Sequence, residues 1–300
     1  MDKGQKKTKK EIKKIEKTLR KKYTATANEL RERVREKLAV FAMKDDVYLK
    51  QVKAGTLSEE AYKAWRAREL TATANVRAMQ KEIAERLTKV NVEAMNTVKT
   101  SIDDVYKVNV EAGIAEVAAT VGASVDLING MTVGHLVNPV STVLPKVDIG
   151  KDLRWNNQRI KSALVQSVAK GESVPKIAKR IGNITGQTGK ASLRTARTAI
   201  NSAHNGGRLE AFTKAVDAGI QIDKQWLATA DNRVRKAHLI MDGETVGVKE
   251  EFSNGLMFPQ DPYGEPAEVY NCRCTMIAVP KNANSKVDVE QYDLEELANV

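Results

Sequence analysis

From Gln5 to Lys53 the chain has neither glycine nor proline, and Ile12, Ile15, Leu19, Tyr23, Leu30, Val34, Leu38 and Phe41 recur there at helical spacing. Apolar residues three and four apart share one face of a helix, and a backbone without breakers has no local reason to leave it. The stretch predicts one long amphipathic helix, or two broken near the threonines around Tyr23. Its opposite face is basic: Lys6, Lys7, Lys9, Lys10, Lys13, Lys14 and Lys17 crowd the first turns. Ser58 is placed to cap a following helix, with Glu59 and Glu60 at the positive end of its dipole. From there to about Thr120 the sequence is rich in helix formers and free of proline, which predicts one or two more long helices.

Between Gly122 and Gly150 glycine, proline and β-branched residues mix, as in a loop or linker that admits short strands. A helix from Asp152 to a stop at Gly171 follows, then a short one with Pro175 in its first turn. A long helical run ends at Gly219, with Gly206 and Gly207 weakening its middle. Beyond it "QIDKQWLAT" reads as a strand, "DNRVRKAHLIMDG" as a capped turn or short helix, and "AEVYNCRCTMIAV" as a second strand. The fold class expected is α+β, with an elongated, mainly helical N-terminal half and a small mixed α/β C-terminal domain with short strands. The boundaries expected are 1–121 for the basic long-helix region, 122–150 for the linker, 151–280 for the mixed domain and 281–300 for an acidic tail.

Lys and Arg total 49 against 38 Asp and Glu, a formal charge of +11. That excess suits a polyanion or an acidic partner surface, and a solvated helix face accounts for the lysines equally well. Both cysteines, Cys272 and Cys274, flank one arginine. Joining two cysteines so close strains a disulfide, and one pair makes no oxidised framework, so a reducing compartment is expected. No leader-like or membrane-spanning stretch is legible, which points to a protein kept in a cytoplasm or leaving it only inside an assembly.

Several motifs fail. "GQTGKAS" lacks the first glycine of a phosphate-binding loop and has Ala191 where a magnesium-binding hydroxyl belongs. His135, His204 and His238 form no His-x-x-x-His pair. A C-x-C in mid-strand exposes a nucleophile poorly.

One string of residues holds together: Arg197, Arg208, Trp226, Asp231, Arg233, Arg235, His238, Asp242-Gly243, Phe252, Gly255, Pro259, Asp261-Pro262 and Asn271-Cys272-Arg273-Cys274. Asp231, following a strand, is placed to cap the next turn and to hold an arginine by paired hydrogen bonds. Trp226, Phe252 and Phe258 supply a small core. Arg273 is expected to face away from the two cysteines, which then share one face. That face has two readings. Cys272 and Cys274 with His238 and a carboxylate, Asp231 or Asp261, make a four-ligand zinc set. Alternatively, two soft side chains pack on Trp226 while His238 bonds a backbone carbonyl.

The patterns "KQWLATADNRVRKAHLIMDGE", "FSNGLMFPQDP" and "YNCRC" together resemble the C-terminal domain of the phage Mu protein F-like family, the minor head or head-morphogenesis proteins of tailed bacteriophages. The resemblance runs from Asp152 to Pro280. It departs at Ala199, where the family often has glutamate. The resemblance implies a non-enzymatic structural protein of the virion head, present in few copies. It also implies a place near the portal through which DNA is packaged and ejected, with portal, major capsid or scaffolding protein as partners. The basic arm suits non-specific contact with double-stranded DNA, and scarce aromatics argue against sequence-specific reading. The rival expectation is a metal-dependent nuclease or other hydrolase using Asp231, His238 and Asp261.

Overall fold

The computed structural model describes residues 2–122 and 147–281. The linker expected at 122–150 and the tail expected at 281–300 therefore lie almost wholly outside the described residues. Helices α1 (Lys3–Lys37), α2 (Ala39–Lys53), α3 (Glu59–Thr71) and α4 (Ala74–Val121) fill the N-terminal half, followed by α5 (Ile149–Ala169) and α6 (Val174–Asp217). The Ser58 hydroxyl accepts from the Ala61 amide at 3.1 Å, and Asp148 caps α5 in the same way at Lys151. Among the described residues, no helix is long and apolar enough to cross a membrane.

The chain divides into two compact bodies, each assembled from separate stretches. One comprises residues 15–97 and 145–193. Its core takes Leu30, Val34, Leu38 and Phe41 from the predicted apolar stripe and packs them with Met79, Ile83, Leu87, Ile160, Leu164, Ile177 and Ile181. Each such side chain, fully buried, contributes about 1.5–3 kcal/mol. Helix α1 does not break at Tyr23; it ends one turn before Phe41, at Leu38. Tyr23 is instead an anchor: its hydroxyl donates to Asn91 at 2.8 Å and lies 2.6 Å from the Ser192 hydroxyl.

The two helices expected on either side of "GNITGQTG" are a single 44-residue helix, α6. The correction has a packing reason. A Cβ added at Gly189 would lie 2.8 Å from the Tyr23 ring, so this glycine lets α1 approach rather than ending the helix. Gly207 has the same role in the other body, where an added Cβ would stand 2.5 Å from the Tyr106 carbonyl oxygen.

That other body comprises the described residues within 1–14, 98–144 and 194–300. It carries β1 (Ile222–Leu227), α7 (Lys236–Ile240), β2 (Thr245–Gly247), α8 (Pro266–Val269) and β3 (Thr275–Pro280). The sheet is antiparallel in the order β2-β1-β3, with Trp226 opposite Met276 and Lys224 opposite Val246. Ile222, Lys224 and Trp226 point inward from β1. Burial pushes the Lys224 ammonium down to about 8 while its Nζ donates to the Met257 carbonyl at 2.7 Å. Trp226, Met241, Phe252, Leu256, Val269, Cys272 and Cys274 form one apolar cluster, with Phe252 edge-on to the tryptophan at 5.1 Å. Phe258 is buried but lies outside that cluster.

The second predicted strand is shorter than expected. "AEV" is a helical turn started by Pro266, and Cys272-Arg273-Cys274 is the irregular approach to β3. Asn271 adopts φ +60° there, a left-handed conformation that asparagine tolerates better than most residues.

Candidate metal centre

Three elements converge on His238. The five-residue helix α7 places its imidazole under Trp226, edge-on with centroids 5.4 Å apart. The approach to β3 brings Cys272 Sγ to 3.3 Å and Cys274 Sγ to 3.7 Å from His238 Nδ1. From α8, Glu268 Oε2 meets His238 Nε2 at 2.7 Å. His238 is 1 % exposed and each cysteine 3 %. Both thiols are free.

This geometry could hold a metal ion, and it is equally that of thiols hydrogen-bonded to an imidazole. Bond lengths of about 2.3 Å to sulfur and 2.0–2.1 Å to nitrogen give sulfur–nitrogen edges of about 3.6 Å around a tetrahedral zinc ion. The two observed separations bracket that value, and all three donor atoms lie within 4.8 Å of one another. Glu268 takes the remaining ring N–H, which leaves the Nδ1 lone pair directed at the sulfurs. The cysteines also pack on Trp226, as the apolar reading expects, but His238 meets a carboxylate and not a backbone carbonyl.

The electrostatics have the same cause. Hydrogen bonding to Cys274, and then to Glu268, raises the His238 pKa. A hydrogen bond from Cys272, helped by His238, pulls the Cys274 thiol down, and Cys272, which keeps the shared proton, moves up. An ion at this point would deprotonate both.

Asp231 does not join the group. Its carboxylate holds the Arg273 guanidinium by two bonds, one of them 2.7 Å, and accepts from the Arg233 amide at 2.9 Å. Arg273 thereby holds Asp231 well below the usual carboxylate range. Asp261 does not join it either: its oxygens accept from the Met257 and Tyr263 amides at 3.1 and 3.0 Å, organising a turn. Among the described residues, His238, Cys272 and Cys274 are the one group of three or more with metal-ligand geometry.

The other motif residues build the surroundings. Arg235 donates to the Tyr270 carbonyl, the Pro259 carbonyl accepts from Asn205 at 2.8 Å, and Gly243 turns at φ +82° while its amide donates to Trp226. Arg233 is exposed beside Asp231, and Arg197 is half-buried on α6. The Asn271 amide donates to the Thr198 hydroxyl.

Two contributors carry no signal in the sequence. Glu268 looked like strand, and its partner lies 30 residues away. Asn205, fully buried on α6, donates to Pro259, Gln260 and the Cys274 carbonyl, fixing the cysteine loop from the far side.

Residues 158–277, which contain the whole site, match the family described as Phage Mu protein F like protein. The chain is similar to this family over that segment, which is less than half of its length. It is 27 % identical over 146 residues to the minor head protein GP7 of Bacillus phage SPP1, covering 47 % of each chain. It is also 32 % identical over 167 residues to the NAD(+)–arginine ADP-ribosyltransferase EFV of Enterococcus faecalis, covering 55 % of this chain and 34 % of that protein. A third relative, the uncharacterised protein YqbB of Bacillus subtilis, is 25 % identical over 154 residues, 47 % of this chain and 48 % of that one. The matches thus span between a third and a half of these relatives' lengths. No solved structure matches the chain.

Proposed function

We propose that the chain is a non-catalytic minor protein of a tailed-phage head, assembled into the virion in the host cytoplasm. It sits near the portal there and contacts packaged DNA without reading its sequence. Residues 151–280 form the head-morphogenesis domain in this reading, and a zinc ion on His238, Cys272 and Cys274 ties its loops together. The carrying observation is the family match over residues 158–277, joined by the likeness to a minor head protein.

The basic arm supports the DNA contact. Lys6, Lys10, Lys13, Lys17 and Arg20 succeed one another at steps of four and three along one face of α1, and none has an ion-pair partner among the described residues. Lys7 and Lys14 pair with Glu11, and farther along Arg33, Arg35 and Lys37 are matched by Glu82, Glu36 and Glu32. Lys9 adds one more exposed charge near the start of the helix. Unpaired cations in a row suit phosphate, whose contacts release counterions and weaken with salt.

The enzyme reading has less support. Asp231 and Asp261 are committed elsewhere and do not approach the His238 group. The transferase name belongs to a protein of which the match covers 34 %. Particles assembled with a tagged chain should retain it in association with the portal. Purified protein should show no nuclease turnover with magnesium, manganese or zinc and no NAD consumption. Loss of the chain from portal-containing particles, or turnover in either assay, overturns the proposal.

A further inference from the structure

His238, Cys272 and Cys274 offer three donors, whereas tetrahedral zinc takes four. Beside them lies a cavity of about 10 Å³ whose other lining residues are Thr229, Val234, Asn271 and the arginines Arg233, Arg235 and Arg273. Among the described residues, no carboxylate, further histidine or further cysteine lines it. Guanidinium groups donate hydrogen bonds and have no lone pair to give a metal. The Thr229 hydroxyl is turned to the Arg273 carbonyl at 2.8 Å. The space is about that of one water molecule.

We propose that a metal ion at this site carries an exchangeable one-atom donor, water or a halide, in its fourth position, and no fourth side chain. The inference rests on the zinc reading above. Two thiolates and a neutral imidazole cancel the charge of a divalent ion, so an anionic fourth ligand leaves the centre negative. The cavity wall answers that charge. Arg235 and Arg273 are already held by the Tyr270 carbonyl and by Asp231, while the Arg233 side chain is 77 % exposed and its guanidinium comes no nearer than 3.7 Å to the Asp231 carboxylate. The site is thus open in coordination, with room for about one water molecule beside it. A water or halide enters and a substrate does not, which separates it from hydrolytic centres that share three protein ligands.

Cobalt(II) substituted into the full chain tests this, because its visible bands report coordination number and ligand type. The expected spectrum is tetrahedral with sulfur-to-metal charge transfer. Chloride should shift the bands saturably, and imidazole, too large for the cavity, should leave them unchanged. Arg233→Gln should weaken chloride two- to fivefold, a loss of about 0.4–1 kcal/mol at an exposed charge, with cobalt stoichiometry unchanged. A tetrahedral spectrum indifferent to chloride overturns the open position while leaving the metal in place. A shift with imidazole overturns the size limit. Failure to bind cobalt or zinc at all overturns the metal reading and this inference with it.

Discussion

Glu268 tests the proposed metal centre at the scale of one residue. It touches no sulfur, and its 2.7 Å bond to His238 Nε2 fixes the ring and its tautomer. Carboxylates in this position typically account for 10- to 100-fold in metal affinity. Glu268→Gln should therefore lower zinc affinity by about that factor in chelator competition, with the fold retained by circular dichroism. Asp231→Asn should leave zinc stoichiometry at wild type, since its partner is Arg273; a loss of zinc there would return Asp231 to the ligand set. His204 makes a separate test. It is buried between the Thr8 and Thr275 hydroxyls, 3.2 and 3.1 Å from its ring nitrogens, and burial pushes its pKa down to about 4. The unfolded chain then binds a proton that the native one refuses. The stability this residue confers is complete above about pH 6.5 and falls as pH drops toward 4, by roughly 2–3 kcal/mol. Urea midpoints at pH 7, 5.5 and 4.5 should converge between wild type and His204→Gln as pH falls. Parallel curves would remove His204 from the acid response.

At the scale of elements, α1 divides by charge pairing. Among the described residues, Lys6, Lys10, Lys13 and Lys17 of its first turns have no ion-pair partner, while its last turns carry cations matched by glutamates. Reversing Lys10, Lys13 and Lys17 to Glu should flatten the slope of log affinity against log salt for random-sequence double-stranded DNA by about one unit per lost contact. Reversing Arg33 and Arg35 should change it little. Equal effects from both sets would mean that the arm acts only through net charge. Helix α1 also shows what was legible beforehand. Its apolar stripe is local information, so spacing alone placed Leu30, Val34, Leu38 and Phe41 on one helix face, without saying what that face packs against. Glycine is ambiguous at that level: Gly207 read as weakening its helix and Gly189 as part of a failed phosphate loop, because the Tyr106 carbonyl and the Tyr23 ring that require them are distant in sequence. The cysteine pair is ambiguous in another way. Alternate residues share a face in a strand and in an extended loop alike, so the shared face was legible while the secondary structure was not. His238 joined the cysteines on residue chemistry, but Asp231 was equally eligible until its salt bridge to Arg273 was visible.

At the scale of the whole molecule, one buried arginine links residues far apart in the chain. Arg208 on α6 is 1 % exposed; its Nε donates to the Met276 carbonyl of β3 at 3.0 Å, and its other nitrogens pair with Glu116 of α4 and, at 2.7 Å, with Asp2. Burial lowers the guanidinium's pKa and Asp2 opposes that shift. The N-terminal turn, the end of α4 and the C-terminal strand are thus held by one side chain, and Glu116 also accepts from the Ala278 amide at 2.8 Å. Removing one partner of a buried pair leaves the other desolvated without compensation, a loss of about 3–5 kcal/mol. Arg208→Ala should cost that much and Asp2→Asn about 1 kcal/mol, because the half-exposed Asp2 is rehydrated more readily. The effect belongs to the body that contains Trp226, so Trp65 and Trp155 should be replaced by phenylalanine and urea unfolding followed by the remaining tryptophan. A shared loss of zinc affinity in Arg208→Ala would mean that β3 carries the strain to Cys274. Unchanged zinc affinity with the same loss of stability would place the clamp and the metal centre in series only through the fold. We expect the second result, since Asn205 holds the Cys274 carbonyl independently of Arg208.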